Sequence, residues 1–167
     1  MKKVAVVYSF NTTNSKLVAK KIKEALGKNT EEINAEDLSG KVMEKFENFV
    51  FVTPTWFDGE LPNYYDEFMP ELEELDLKDK IFAVAGLGDQ VEYPENFIDA
   101  VGHLADAFEE RGGKVIGHTS TKGFNYESSS AIRNNKFCGL AIDIENMSDK
   151  IDTQIEKWVE QLKKDFN

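Results

Sequence analysis

The stretch VAVVYSFNTTNSK, residues 4–16, places a polar loop between an apolar run and a helical pattern. Residues 4–7 are small or β-branched and apolar, which is typical of a buried strand. Beyond the loop, apolar residues recur at helical spacing until Gly27, a typical helix stop: Leu17, Val18, Ile22 and Leu26. Such a junction offers backbone N–H groups and the helix dipole to an anion, with an ordinary helix cap as the alternative. Because the loop lacks glycine, it is neither a Walker loop nor a dinucleotide-binding GxGxxG loop.

Composition limits the class of protein. The 167 residues fit one domain, which we expect to span residues 1–167. No apolar run approaches the roughly 18 residues of a membrane span, and the amino-terminal run is too short for a signal peptide. The single cysteine, Cys138, cannot form an internal disulfide, which agrees with a cytoplasmic location and with a buried core position. The net charge of −11 disfavours nucleic acid and anionic membranes as partners and favours a basic protein.

Strand and helix patterns alternate along the rest of the chain. Further helices are predicted around residues 68–75 and 97–108, and at the carboxyl terminus, where Ser148 is the predicted N-cap. This alternation predicts an α/β fold with a doubly wound parallel sheet, strand order 2-1-3-4-5 and helices on both faces. A ligand then binds at the switch point between strands one and three. The strands predicted after the first are Thr30–Asn34, 49–53, Ile81–Leu87, 114–118 and 138–143.

In that strand order, the loops that follow strands one, three and four converge at one edge of the sheet. The second loop, PTWFDGELP (residues 54–62), contains Trp56, which can cap the core or present a flat wall to a flat ligand. The third loop, GDQVEYPE (residues 88–95), contains Asp89 and Tyr93. Two aromatic side chains could sandwich a planar ring, while the first loop binds an anionic tail. Flavin mononucleotide (FMN) has this shape.

Four stretches resemble the flavodoxin family, and specifically its long-chain subgroup. They are PTWFDGEL (54–61), GDQVEYPENFIDA (88–100), GFNYESSSAIRNNKFCGLAID (123–143) and KWVEQLKKDF (157–166), and they are spread over most of the chain. The resemblance implies a flavodoxin-like five-stranded sheet whose fifth strand is split by an insertion, here about residues 119–137.

The resemblance further implies a low-potential one-electron carrier with non-covalently bound FMN, which is not an enzyme. Trp56 and Tyr93 would stack on the two flavin faces, Asp89 would meet the ring edge, and the Phe57–Asp58 peptide would reorient when the flavin gains an electron. The implied partners are basic redox proteins of the flavodoxin or ferredoxin reductase type, and the implied state is a monomer. The expected cofactor-binding residues are Phe10, Asn11, Thr12, Thr13, Asn14, Ser15, Pro54, Thr55, Trp56, Phe57, Asp58, Gly59, Gly88, Asp89 and Tyr93.

The phosphate loop departs from the family pattern T/S-x-T-G-x-T. Aligned with it, Phe10 replaces a hydroxyl residue and Thr13 replaces glycine. If Thr13 must take a positive φ, the strain at this β-branched residue costs on the order of 1–3 kcal/mol. The conformation of this loop therefore decides how well it can bind the FMN phosphate. Two other functions remain open on the same fold: an FMN-dependent quinone or small-molecule reductase, and a flavin-free protein-binding module. Carboxylates such as Asp66 and Glu67 are expected to oppose the gain of negative charge by a reduced flavin.

Overall fold

The computed structural model describes residues 1–167, and its main sheet has the predicted parallel order β2-β1-β3-β4-β5. The bounds predicted for β2 and β4 are confirmed to the residue, because both segments are delimited by turn residues. The central pair, β3 and β4, runs in register over seven residues, from Asn48 opposite Ile81 to Pro54 opposite Leu87. The strands of this sheet are β1 (Val4–Tyr8), β2 (Thr30–Asn34), β3 (Asn48–Pro54), β4 (Ile81–Leu87) and β5 (Lys114–Ile116).

Two separate strands share the fifth position of the sheet, as predicted from the inserted segment. β5 pairs with residues 81–83 of β4, and β9 (Leu140–Ile142) pairs with residues 85–87 of the same strand. The chain between them, residues 117–139, forms a small antiparallel sheet in the order β6-β8-β7. Its strands are β6 (Thr119–Ser120), β7 (Ile132–Arg133) and β8 (Lys136–Phe137).

The helices differ from the predicted pattern in two places. The helix predicted around residues 68–75 is confirmed only as the single turn α4 (Met69–Leu72), with Pro70 at its start, and a second short helix, α3 (Asn63–Asp66), precedes the predicted region. The prediction of Ser148 as N-cap of the last helix is wrong: α7 begins at Ile151 with Lys150 as its N-cap, and Ser148 lies in the 3-10 turn that precedes it. The helices are α1 (Asn14–Leu26), α2 (Gly40–Glu44), α3 (Asn63–Asp66), α4 (Met69–Leu72), α5 (Asp99–Glu110), α6 (Ile144–Met147) and α7 (Ile151–Asp165).

Apolar side chains cover both faces of the sheet. On one face, Phe82 stacks between Phe49 and Phe108 of α5, with ring centroids 5.0 and 4.1 Å apart. On the other face, α1 and α7 pack over the sheet, and the Trp158 indole N–H donates to the Gly117 carbonyl at 2.7 Å. Cys138 is buried as predicted, and burial raises the pKa of its thiol to about 11. No helix combines the length and the apolarity that a bilayer crossing requires.

A partly buried carboxylate, that of Glu32, joins β1, β2 and α1. The Glu32 side chain is 18% exposed, and its Oε1 accepts a hydrogen bond from the Tyr8 hydroxyl at 2.6 Å. It also pairs with Lys20 at 2.5 Å and Lys23 at 2.8 Å. Burial disfavours the charged form, but the hydrogen bonds from Lys20, Lys23 and Tyr8 outweigh it and lower the pKa of Glu32 to about 2.

Glu32→Gln is therefore expected to reduce the free energy of unfolding at pH 7 by about 1–2 kcal/mol. Since the pKa of Glu32 falls from its ordinary 4.5 to about 2 on folding, its contribution is complete above pH 4.5 and disappears as pH falls toward 2. Urea unfolding at pH 7 and pH 3 should show the gap between variant and parent shrinking at the lower pH. Glu31→Gln is the matched control, because Glu31 is exposed and contacts only Lys3, at 3.4 Å. Equal losses from the two substitutions would contradict the prediction.

Candidate functional site

The three predicted loops meet at the carboxyl edge of the sheet and enclose two contiguous cavities. The aromatic cavity has a volume of about 590 Å³, and six of the predicted residues line it: Thr55, Trp56, Phe57, Gly88, Asp89 and Tyr93. The α1 cavity, about 350 Å³, shares four residues with it and adds four predicted ones from the first and second loops: Thr12, Asn14, Ser15 and Pro54. Both volumes are in the range of small-molecule sites. The lining residues that sequence analysis missed are Leu87, Asn96, Phe97, Ile98, Ile142, Ile144 and Glu145.

A tight turn fixes Trp56 at the wall of the aromatic cavity. The backbone N–H groups of Trp56 and Glu60 each donate to the other residue's carbonyl, at 2.9 and 2.7 Å. The three residues between them include two with left-handed backbones, Phe57 with φ 47° and Gly59 with φ 94°. The Trp56 ring packs edge-on against Tyr64 with ring centroids 5.7 Å apart. These contacts within the chain fix the position of the Trp56 indole.

Two residues of helix α5 form hydrogen bonds with the segment that carries Trp56. The Ala100 N–H donates to Thr55 Oγ1 at 3.1 Å, and the His103 Nε2–H donates to the Gly59 carbonyl at 2.7 Å. A Cβ atom added to Gly59 would lie 2.5 Å from Asp99 Oδ2, so Asp99 would have to move to make room for a side chain there. Sequence analysis assigned His103 no role. Its partner lies 44 residues away in the chain, and no sequence signal marks the contact.

The Asp89 carboxylate organises the third loop. Its Oδ1 accepts the N–H groups of Glu92 at 2.9 Å and Val91 at 3.0 Å, and the Asn146 Nδ2 at 2.8 Å. The hydrogen bond from the Glu92 N–H, together with those from Asn146 and Val91, lowers the pKa of Asp89. The Tyr93 N–H donates to the Asp89 carbonyl at 2.9 Å. Asp89 therefore sets the backbone that carries Tyr93, whose side chain is 61% exposed.

The first loop is unstrained without glycine. Thr13 has φ −89° and ψ −57°, in the right-handed helical region, so the strain of a positive φ does not arise. Thr13 is the N-cap of α1, and its side chain makes no capping bond. The backbone N–H groups of residues 13–16 have no acceptor in the chain. Four free donors at the start of a 13-residue helix fit an anion.

Five of the predicted residues line neither cavity: Phe10, Asn11, Thr13, Asp58 and Gly59. Phe10 packs on Tyr8 with ring centroids 4.9 Å apart. The Asn11 Nδ2 donates to Glu36 Oε2 at 2.9 Å, and the Ser9 hydroxyl donates to Glu36 Oε1 at 3.0 Å. Sequence analysis missed Glu36, which binds two side chains of the first loop and lines neither cavity.

Shape and donor set together fit a flat ligand with an anionic tail. One cavity lies between aromatic side chains, and the other opens onto free N–H groups at the start of α1. No group of three or more His, Cys, Asp or Glu side chains is arranged to hold a metal ion. The fold and the site thus define a mononucleotide-binding protein of the doubly wound class.

Comparisons with known proteins agree with this class. A family model described as Flavodoxin matches residues 6–158. A flavodoxin from a Nostoc species is 36% identical over 168 residues, covering 99% of this chain and 98% of the relative. A Helicobacter pylori flavodoxin is 35% identical over 166 residues, covering 99% of each. The crystal structure of Fusobacterium nucleatum flavodoxin bound to FMN aligns with a TM-score of 0.95 at 33% identity, covering 100% of both chains. The chain belongs to the flavodoxin family.

Gly59→Ala is expected to destabilise the turn that carries Trp56 by more than backbone strain alone. Gly27→Ala is the matched control, since Gly27 has φ 93° and a Cβ there meets nothing within 4 Å. Both substitutions strain the backbone by about 1 kcal/mol, but only at Gly59 must Asp99 also move. Urea unfolding should show a loss at Gly59 exceeding that at Gly27 by at least about 1 kcal/mol. Equal losses would mean that the turn adjusts freely.

Proposed function

We propose that this chain is a one-electron carrier that binds FMN non-covalently, with the ring in the aromatic cavity and the phosphate in the α1 cavity. The observation that carries the proposal is the junction of the two cavities, one lined by aromatic side chains and one lined by Asn14 and Ser15, whose N–H groups at the start of α1 are free. Flavodoxins are electron-transfer proteins, and FMN supplies the electron-accepting chemistry when bound. The chain supplies binding, orientation and charge.

The ring would lie between Trp56 and Tyr93, whose side chains line the same cavity. The Asp89 carboxylate already accepts three hydrogen bonds, but its backbone N–H has no acceptor in the chain. We assign the contact with the ring's edge to that N–H group and its neighbours. At the phosphate, we assign the donor role to the N–H groups of Asn14 and Ser15 and to the Ser15 hydroxyl, which has no partner within the chain.

Negative charge at the site favours a low reduction potential, because reduction brings a further negative charge to the ring. Asp89 and Glu145 line the cavities, whereas Asp66 and Glu67 line neither. Glu67 lies instead in a separate hollow with Glu36 and Glu71. We therefore assign the larger electrostatic effect to Asp89 and Glu145.

The proposed partners are basic redox proteins of the reductase type. Three apolar side chains project around the aromatic cavity: Phe57 (79% exposed), Val91 (71%) and Tyr93 (61%). Exposed apolar groups in a chain of net charge −11 suit a partner with a basic rim and an apolar centre. We further propose that the chain belongs to the long-chain subgroup, which the interrupted fifth strand supports. A cytoplasmic location is supported by the lone, buried Cys138. We also propose that the chain is a single-domain monomer.

The test is a visible spectrum of the purified protein, followed by titration of the apoprotein with FMN and with riboflavin. A yellow protein that binds FMN far more tightly than riboflavin would support the proposal. Binding of neither ligand would overturn it and favour a flavin-free protein-binding module. Turnover of NAD(P)H with a quinone, without a partner reductase, would instead indicate an enzyme on the same fold.

Ser15→Ala is expected to weaken FMN binding about ten- to hundredfold, because one hydrogen bond to a charged phosphate contributes about 1.5–3 kcal/mol. Riboflavin lacks the phosphate, so its affinity should be unchanged. Fluorescence titration of both ligands provides the measurement. Ser148→Ala, an exposed serine outside both cavities, is the control. Equal weakening of FMN and riboflavin would place the phosphate elsewhere.

Glu145→Gln is expected to raise the potential at which the bound flavin takes its second electron. At about 10 Å and an effective dielectric constant of about 40, one carboxylate contributes about 0.8 kcal/mol, or roughly 35 mV per electron. Redox titration should show this shift, and added salt should reduce it. Glu160→Gln on α7, an exposed residue outside both cavities, should leave the potential unchanged. The same shift from both variants would contradict a local effect.

A further inference from the structure

The segment of residues 117–139 packs directly behind the third loop. The N–H groups of Glu127 and Ser128 donate to the Pro94 carbonyl at 2.9 and 3.0 Å, and the Phe97 N–H donates to the Ser128 carbonyl at 3.2 Å. The Phe97 ring is surrounded by rings of the same segment, with centroid distances of 5.5 Å to Tyr126, 5.7 Å to Phe124 and 5.9 Å to Phe137. The part of the loop that follows Tyr93 is therefore held by this segment.

Gln90 joins three elements through one buried side chain. Its Nε2 donates to Asp143 Oδ2 at 2.8 Å and lies 3.2 Å from Met147 Sδ. Its Oε1 accepts the Asn125 N–H at 2.6 Å. The Gln90 side chain lines neither cavity, and both its Nε2 and its Oε1 already have hydrogen-bond partners within the protein. Gln90 therefore acts on the site through its neighbours rather than through contact with a ligand.

The bonds of Gln90 continue to Asp89. Asp143 is fully buried, and Oδ2 accepts the backbone N–H of Gln90 at 3.1 Å as well as its side chain. Asn146 donates to Asp143 through its N–H and its Nδ2, and the same Nδ2 donates to Asp89 Oδ1 at 2.8 Å. A continuous hydrogen-bonded path thus runs from Asn125 to the carboxylate that sets the Tyr93 backbone.

We propose that Gln90 is a positioning residue for the flavin ring, which it serves by tying residues 88–93 to the segment of residues 117–139 and to Asp143. The inference rests on the proposed FMN site. Because buried polar groups without partners are costly, the loop keeps these bonds only in one arrangement. Ring binding and the order of the segment around Asn125 are then coupled, and each stabilises the other.

Amide hydrogen exchange in the unmodified protein tests this coupling directly. Binding of FMN to the apoprotein should slow exchange of the Tyr93 and Asn125 amides by a common factor. The Lys122 amide is the control, because it lies in the same segment but donates only to Ser120 Oγ, at 3.1 Å. The proposal expects Lys122 to change least. An Asn125 amide that follows Lys122 rather than Tyr93 would overturn it.

Gln90→Leu removes the three side-chain contacts, with Asp143, Met147 and Asn125, and keeps the side chain's approximate volume. We expect the affinities for FMN and riboflavin to fall together by about tenfold, with their ratio unchanged, because the effect acts at the ring. Gln154→Leu on α7 is the matched control, since its Oε1 has no partner and it lines neither cavity. Urea unfolding of the two variant apoproteins distinguishes a local effect at the site from a loss of overall stability. A loss of overall stability alone would leave the affinities for FMN and riboflavin unchanged.

Affinities within twofold of the parent would overturn the positioning role, and so would a loss confined to FMN. Should Gln90→Leu fail to fold, the exchange measurement on the unmodified protein decides the question. An unmodified apoprotein that binds neither FMN nor riboflavin would overturn the proposed function itself and this inference with it. That result is distinguishable because it precedes any substitution.

Discussion

The parallel pairing of β3 with β4 is the constraint on which the site depends. Because Pro54 lies opposite Leu87, both strands end at the same level of the sheet. The loops that begin at Thr55 and Gly88 therefore leave the sheet side by side, and β1 brings the start of α1 next to them. A shift of one residue in this pairing would reverse which side chains face α5, so the core on both faces fixes the register.

The walls of the site are held by polar contacts with distant parts of the chain. α5 fixes the turn of Trp56 through Thr55 and Gly59, and Asp143 fixes the loop of Tyr93 through Gln90. Asp143 is a fully buried carboxylate whose partners are all neutral donors. Each of these bonds joins a loop of the site to a helix or a buried side chain, so the position of the aromatic side chains depends on contacts made far from them in the chain.

Sequence patterns predicted the sheet and the loops at its edge because both are local signals. Apolar runs mark the buried strands, as at β4, whose seven residues are all buried. The partners of single polar side chains could not be predicted, because they depend on which distant segments meet. Asn11 is an example: its residue type suits a phosphate, yet its amide donates to Glu36, 25 residues away. The short α3 was not predicted, and α4 is shorter than the predicted helix, since Pro70 at its start has no N–H to continue a helix from α3.

The interruption of the fifth strand has a consequence for the order in which the sheet assembles. β5 can pair with the first half of β4 as soon as α5 has formed. β9 reaches the second half of the same strand only after residues 117–139 have closed a longer loop. We therefore expect the amino-terminal end of the sheet to form earlier than the end that carries the loops. In a nascent chain, the cofactor site would be completed last.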